Sequence, residues 1–120
     1  MPNHLSEDAM QFVLVIYNGD EGSVSDEDMR SAYADYAALN EMENVTGCPP
    51  LGLPENATTV RVADGSPVTT GGPYLDVKGA VGGFLIVEAE NLEAAVAVAA
   101  RVPQARMGGA VEVRPSVTYW

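Results

Sequence analysis

The chain predicts an α+β domain in which an antiparallel sheet carries its helices on one face. Three observations carry that reading. Two apolar runs of strand length occur, Phe12–Tyr17 and Phe84–Val87. Each is followed by a segment with helical spacing of its apolar residues. The full order is strand, helix, strand with a hairpin extension, strand, helix, strand, which suits a split-βαβ or ferredoxin-like domain. At 120 residues the chain has the length of one domain that can bury a core without disulfides or a structural metal.

Met1–Ala9 is polar and aperiodic and is expected to be a poorly ordered extension, dispensable for folding, ahead of a domain over residues 10–120. Gln11–Tyr17 (QFVLVIY) is the first strand, and Asn18-Gly-Asp-Glu-Gly22 is the turn after it. Ser25-Asp-Glu-Asp28 is a helix start, with Ser25 able to accept from backbone N–H groups and acids at the positive end of the dipole. The helix is expected to run to about Glu43, with Met29, Ala32, Tyr33, Tyr36, Ala37 and Leu39 forming a stripe that faces the sheet. Thr46–Pro54 is punctuated by Pro and Gly and reads as an irregular connection. Thr58–Ala63 alternates as a second strand, and Asp64-Gly65 before Val68-Thr-Thr70 is a hairpin signal. Phe84–Ala89 is the next strand, Asn91 caps a helix whose Leu92, Ala95, Val96 and Ala99 lie on one side until Val102-Pro103 stops it, and Val111–Arg114 closes the chain as a strand.

The two apolar runs carry a further implication. A sheet with helices on one face should alternate apolar and polar residues, yet Phe12–Ile16 and Phe84–Val87 are apolar at both sets of positions. Something must cover the second face, and the simplest cover is the same face of another copy. A two-fold homodimer with two packed sheets is therefore expected.

Charge and composition narrow the partners. With 17 acidic residues against 6 Lys plus Arg, the net charge of −11 repels a phosphate backbone, so nucleic acid is not expected as a partner. The apolar runs fall far short of the roughly 20 residues of a spanning helix, and a basic-then-apolar leader is absent, so no membrane segment and a cytoplasmic location are expected. The single cysteine, Cys48, cannot form an internal bridge. Asn44-Val-Thr46 and Asn56-Ala-Thr58 read as chance glycosylation matches. No metal-ligand spacing occurs, and no cofactor is expected.

The segment Thr70–Phe84 concentrates the candidate chemistry. Its five glycines and one proline allow an irregular loop that presents Tyr74, Asp76 and Lys78. It fits neither the phosphate-loop nor the dinucleotide pattern. The set Met10–Tyr17, Pro54–Arg61, Gly72-Pro-Tyr74 with Asp76 and Lys78, Gly82-Gly-Phe84 and Gly109–Pro115, in that order, resembles the YCII-related, or DGPF-domain, family. The resemblance spans nearly all of Met10–Pro115. It implies a ferredoxin-like subunit that dimerises into an α+β barrel.

In that family some members are encoded beside sigma factors, and a few relatives are small-molecule enzymes using a His–Asp pair. Here Gly71-Gly-Pro-Tyr74 stands where the motif has Asp-Gly-Pro-Phe, and the only histidine is His4, in the extension, so no His–Asp dyad carries over. Groups left for acid–base work are Asp76, Lys78, Tyr17, Tyr33, Tyr36 and Tyr74, with Glu88. Asp76 and Lys78 equally suit a surface ion pair, and Tyr33 and Tyr36 suit core-facing residues. Cys48 shows no cause for activation to thiolate. The first functional reading is a dimeric small-molecule-binding domain, with a pocket between the first helix and the sheet that uses Tyr17, Tyr33, Tyr36, Gly72, Tyr74, Asp76 and Lys78. The alternatives are an enzyme acting through Tyr74, Asp76 and Lys78, and an acidic accessory protein of a sigma-factor-type system.

Overall fold

A computed structural model describes residues 10–19, 25–48, 51–52, 54–75 and 81–117. In chain order its elements are β1 (Met10–Tyr17), α1 (Asp26–Glu41), β2 (Val45–Gly47), a 3₁₀ turn (Pro54–Asn56), β3 (Thr58–Ala63), β4 (Ser66–Gly71), β5 (Val81–Ala89), α2 (Leu92–Ala99), α3 (Pro103–Arg106) and β6 (Ala110–Pro115). Four strands form one sheet in the order β2-β5-β1-β6, and every neighbouring pair is antiparallel. The unit β1–α1–β2 leaves a gap that β5 fills, and β5–α2–β6 leaves a gap that β1 fills. This is the ferredoxin-like split βαβ, an α+β fold.

The central pair sets the two faces. Phe12 pairs with Val87, Leu14 with Leu85 and Ile16 with Gly83, whereas Val13 pairs with Ile86 and Val15 with Phe84. The first set is buried, together with Leu39 of α1, Ala95 and Val98 of α2, and Val102. The second set lies on the face away from the helices and is only partly shielded. Alternation along a strand makes that division, and the apolar character of both sets leaves one apolar face without a helix.

Caps fix the helix starts. Ser25 Oγ accepts from the Asp28 N–H at 3.0 Å, and Asn91 Oδ1 accepts from the Ala94 N–H at 2.9 Å. α1 ends at Glu41, just short of the expected Glu43, where the Met42 N–H donates to the Leu39 carbonyl. The expected stripe is narrower than its spacing suggests. Only Leu39 is buried, Tyr36 packs against the core, and Met29 and Tyr33 are exposed. Residues 26–31 of α1 are all exposed.

Three expectations are corrected. The strand paired at the β5 edge is Val45–Gly47, at the start of the stretch expected to be irregular. Thr58–Ala63 instead pairs with β4 in a separate two-stranded sheet. A three-residue strand with Gly47 in it has no readable alternation, while the hairpin alternates clearly but, among the described residues, contributes none to the core. Val102-Pro103 ends α2 and also starts α3, because a proline at the first helical position suits a helix as well as stopping one. At the hairpin turn Asp64 and Gly65 have φ of 52° and 79°, the left-handed pair that a two-residue hairpin turn requires. Val60, Val62 and Val68 of the hairpin are all exposed.

Candidate functional site

Where β5 passes beneath α1, its residues are glycines. Gly83 takes the helix-facing place opposite Ile16, so no side chain fills the space above it. The result is a cavity of about 290 Å³ between the sheet, α1 and α3, lined by Ile16, Tyr33, Tyr36, Asn40, Cys48, Gly82, Gly83, Phe84 and Gln104. Its volume is at the small end for ligand sites.

A chain of hydrogen bonds braces one wall. The Tyr36 hydroxyl donates to Gln104 Oε1, and Gln104 Nε2 donates to Asn18 Oδ1 at 3.1 Å. Both ends of the Gln104 amide are thereby used, while the Tyr36 oxygen keeps lone pairs free to accept. Two close approaches hold the chain in place. A Cβ at Gly82 would lie 2.5 Å from Asn18 Oδ1, so only glycine lets the asparagine sit there. A Cβ at Gly109 would fall on the Tyr17 carbonyl oxygen, and the Gly109 N–H donates to the Gln104 carbonyl at 2.9 Å. Arg106 joins α3 to α1 by pairing with Asp35 and donating to Ser31 Oγ at 3.3 Å. This pair is solvent-exposed and positions the helices more than it stabilises them.

Among the described residues, none that lines the cavity carries a carboxylate, ammonium or guanidinium. Burial pushes the Tyr36 phenol up from its ordinary value, with nearby Cys48 adding to the rise, and burial likewise pushes the Cys48 thiol up. Both are protonated at neutral pH. The phenol acts as a hydrogen-bonding group rather than a base, and the thiol is not activated as a nucleophile. Among the described residues no group of three His, Cys, Asp or Glu side chains gathers in metal-binding geometry.

The candidate residues read from sequence fall in different places. Tyr33 and Tyr36 line the cavity. Tyr17 follows Ile16 on β1 and so points to the opposite face, where its hydroxyl donates to Glu112 Oε1 at 3.4 Å. Glu88 also belongs to that face, paired with Gln11. Gly72 has φ of 96° at the end of the hairpin, and its carbonyl accepts from Thr59 Oγ1 at 2.7 Å. Tyr74 is 67% exposed, with the Arg61 guanidinium 6.0 Å from its ring centre. Asp76, Lys78 and His4 lie outside the described residues.

Sequence reasoning missed Asn18, Asn40 and Gln104. Pro103 at a helix start is the one signal that could have found Gln104, since it predicts α3.

A family model for the YCII-related domain matches residues 10–119. No curated protein matches the chain.

Proposed function

The chain belongs to the YCII-related domain family, and from that premise we propose that it is a cytoplasmic small-molecule-binding domain that works as a two-fold homodimer without a catalytic dyad. The observation that carries this reading is the braced cavity under α1. A cleft of this size, lined in part by the exposed Tyr33 and Asn40, is held open by glycines at β5 and by the Tyr36–Gln104–Asn18 chain. Its uncovered apolar lining forgoes dispersion contacts that an occupant would make. A ligand supplies those contacts. The neutral phenol and thiol favour binding over acid–base or nucleophilic chemistry.

The dimer accounts for the second sheet face. Val13, Val15, Phe84 and Ile86 form an apolar stripe, bordered on the same face by Arg114, Glu112 and Glu88, on a chain whose net charge is −11. Two such chains repel over most of their surfaces, and burial of the apolar stripe, with Arg114 able to meet an acidic group across the seam, offsets that repulsion. The accessory-protein reading is favoured by the same acidity, which suits a basic partner.

A thermal-shift screen of small polar and aromatic metabolites tests the binding reading. A ligand that binds only the folded state raises Tm. Gly83→Val should suppress any rise by filling the cavity. A screen without a single shift, or shifts that survive Gly83→Val, overturns it.

A further inference from the structure

We infer that the cavity under α1 takes an uncharged, flat molecule of one or two rings that carries a neutral hydrogen-bonding substituent. The inference rests on the reading of this cavity as a binding site and adds the chemical class of its occupant.

Charge is the first argument. A charged group entering a partly desolvated site needs a counter-charge or several oriented dipoles there, or it loses hydration without compensation. No described residue of the lining is charged. The two lining groups whose titration is displaced, Tyr36 and Cys48, are both displaced toward their neutral forms by burial. The nearest charged pair on α1 and α3, Asp35 with Arg106, is spent on itself at the surface. Carboxylates, phosphates, ammonium compounds and zwitterions all leave a charge unmatched here.

Shape is the second argument. Gly82 and Gly83 give the cavity a floor of bare peptide planes, and Tyr33 and Tyr36 contribute aromatic rings from α1. Peptide planes and rings favour a flat apolar partner. At about 290 Å³ the space suits one or two rings and excludes a nucleotide-sized ligand.

Polar valence is the third. The Tyr36 proton is committed to Gln104 Oε1, and the Gln104 amide N–H to Asn18. The unfilled capacity on that wall is mixed: the Tyr36 oxygen can still accept, and the Gln104 and Asn18 amides each keep N–H capacity beyond the bond that joins them. A substituent that both donates and accepts, such as a hydroxyl, fits it. Asn40, at the exposed edge of α1, can serve a second polar substituent.

Three probes of one shape test this at pH 7 and physiological salt: 2-naphthol, 2-naphthoate and 2-naphthylmethylammonium, titrated into the full chain and followed by amide shifts of Gly82 and Gly83. Naphthol is expected to move these signals and to bind at least about tenfold more tightly than either ion. Using both ions separates the local environment from the overall field, since a net charge of −11 alone would favour the cation over naphthol. Asn40→Lys changes an exposed position, so folding is unaffected, and should raise naphthoate affinity by about tenfold by supplying the missing counter-charge. Equal or tighter binding of either ion to the wild-type cavity overturns the neutral-ligand class while leaving the cavity a binding site. No movement of Gly82 or Gly83 with any of the three probes at millimolar concentration overturns the binding reading itself.

Discussion

Gly82 and Gly109 set the position of a wall that neither of them forms with a side chain. Each accommodates an atom that a Cβ would displace, Asn18 Oδ1 in one case and the Tyr17 carbonyl oxygen in the other. The two substitutions should differ in kind. Asn18 can swing away, so Gly82→Ala is expected to break the Gln104–Asn18 bond and weaken binding with little change in stability. Backbone cannot swing, so Gly109→Ala should destabilise the fold by about 2 kcal/mol, measured as a lowered urea midpoint. An unchanged midpoint for Gly109→Ala would show that the crossing relaxes freely.

Titration at this scale has a definite sign. Tyr36 and Cys48 have folded-state pKa values above their ordinary 10.0 and 9.0. The folded state holds these protons more tightly than the unfolded chain, so their contribution is fully present below about pH 9 and is lost as pH rises through the folded values. Melting curves from pH 7 to 11 should show a fall in Tm above pH 9 that is smaller in Cys48→Ala. Iodoacetamide at pH 8 should modify Cys48 several-fold more slowly in the native protein than in urea.

Elements differ in how far their own residues decide them. β1, α1, β5 and α2 are legible because each has a period, a cap or an apolar run long enough to outweigh its neighbours. Asn91→Ala removes the α2 cap and should cost about 1 kcal/mol, seen in the denaturation midpoint. The hairpin β3–β4 is equally legible as a hairpin, since Asp64-Gly65 dictates its turn. What its sequence leaves out is its partner. It pairs with no strand of the main sheet, and a two-stranded ribbon is marginal in water by itself. Its amides should therefore exchange faster than those of β1 and β5 by orders of magnitude in the monomer, and hydrogen exchange measures this directly. β2 and α3, with three and four residues, were hidden because such short elements take their form from the strand or helix beside them.

At the scale of the whole molecule, the sheet face bearing Val13, Val15, Phe84 and Ile86 is the interface of the proposed dimer. Light scattering should give the mass of two chains at micromolar concentration, and Val13→Glu with Ile86→Lys should return it to one chain without loss of the helix-side core. A monomeric wild type would leave that face without a cover. The alternation of apolar residues, the caps and the Asp-Gly turn determined by themselves the fold class, the long elements and the two-faced character of the central strands, because these depend on neighbours within a few positions. Tertiary structure alone decided that Val45–Gly47 rather than Thr58–Ala63 sits beside β5, that Tyr17 and Tyr36 lie on opposite faces, and that Asn18, Tyr36 and Gln104 meet beside two glycines. Those facts depend on contacts between residues as many as 95 positions apart, which no local pattern encodes.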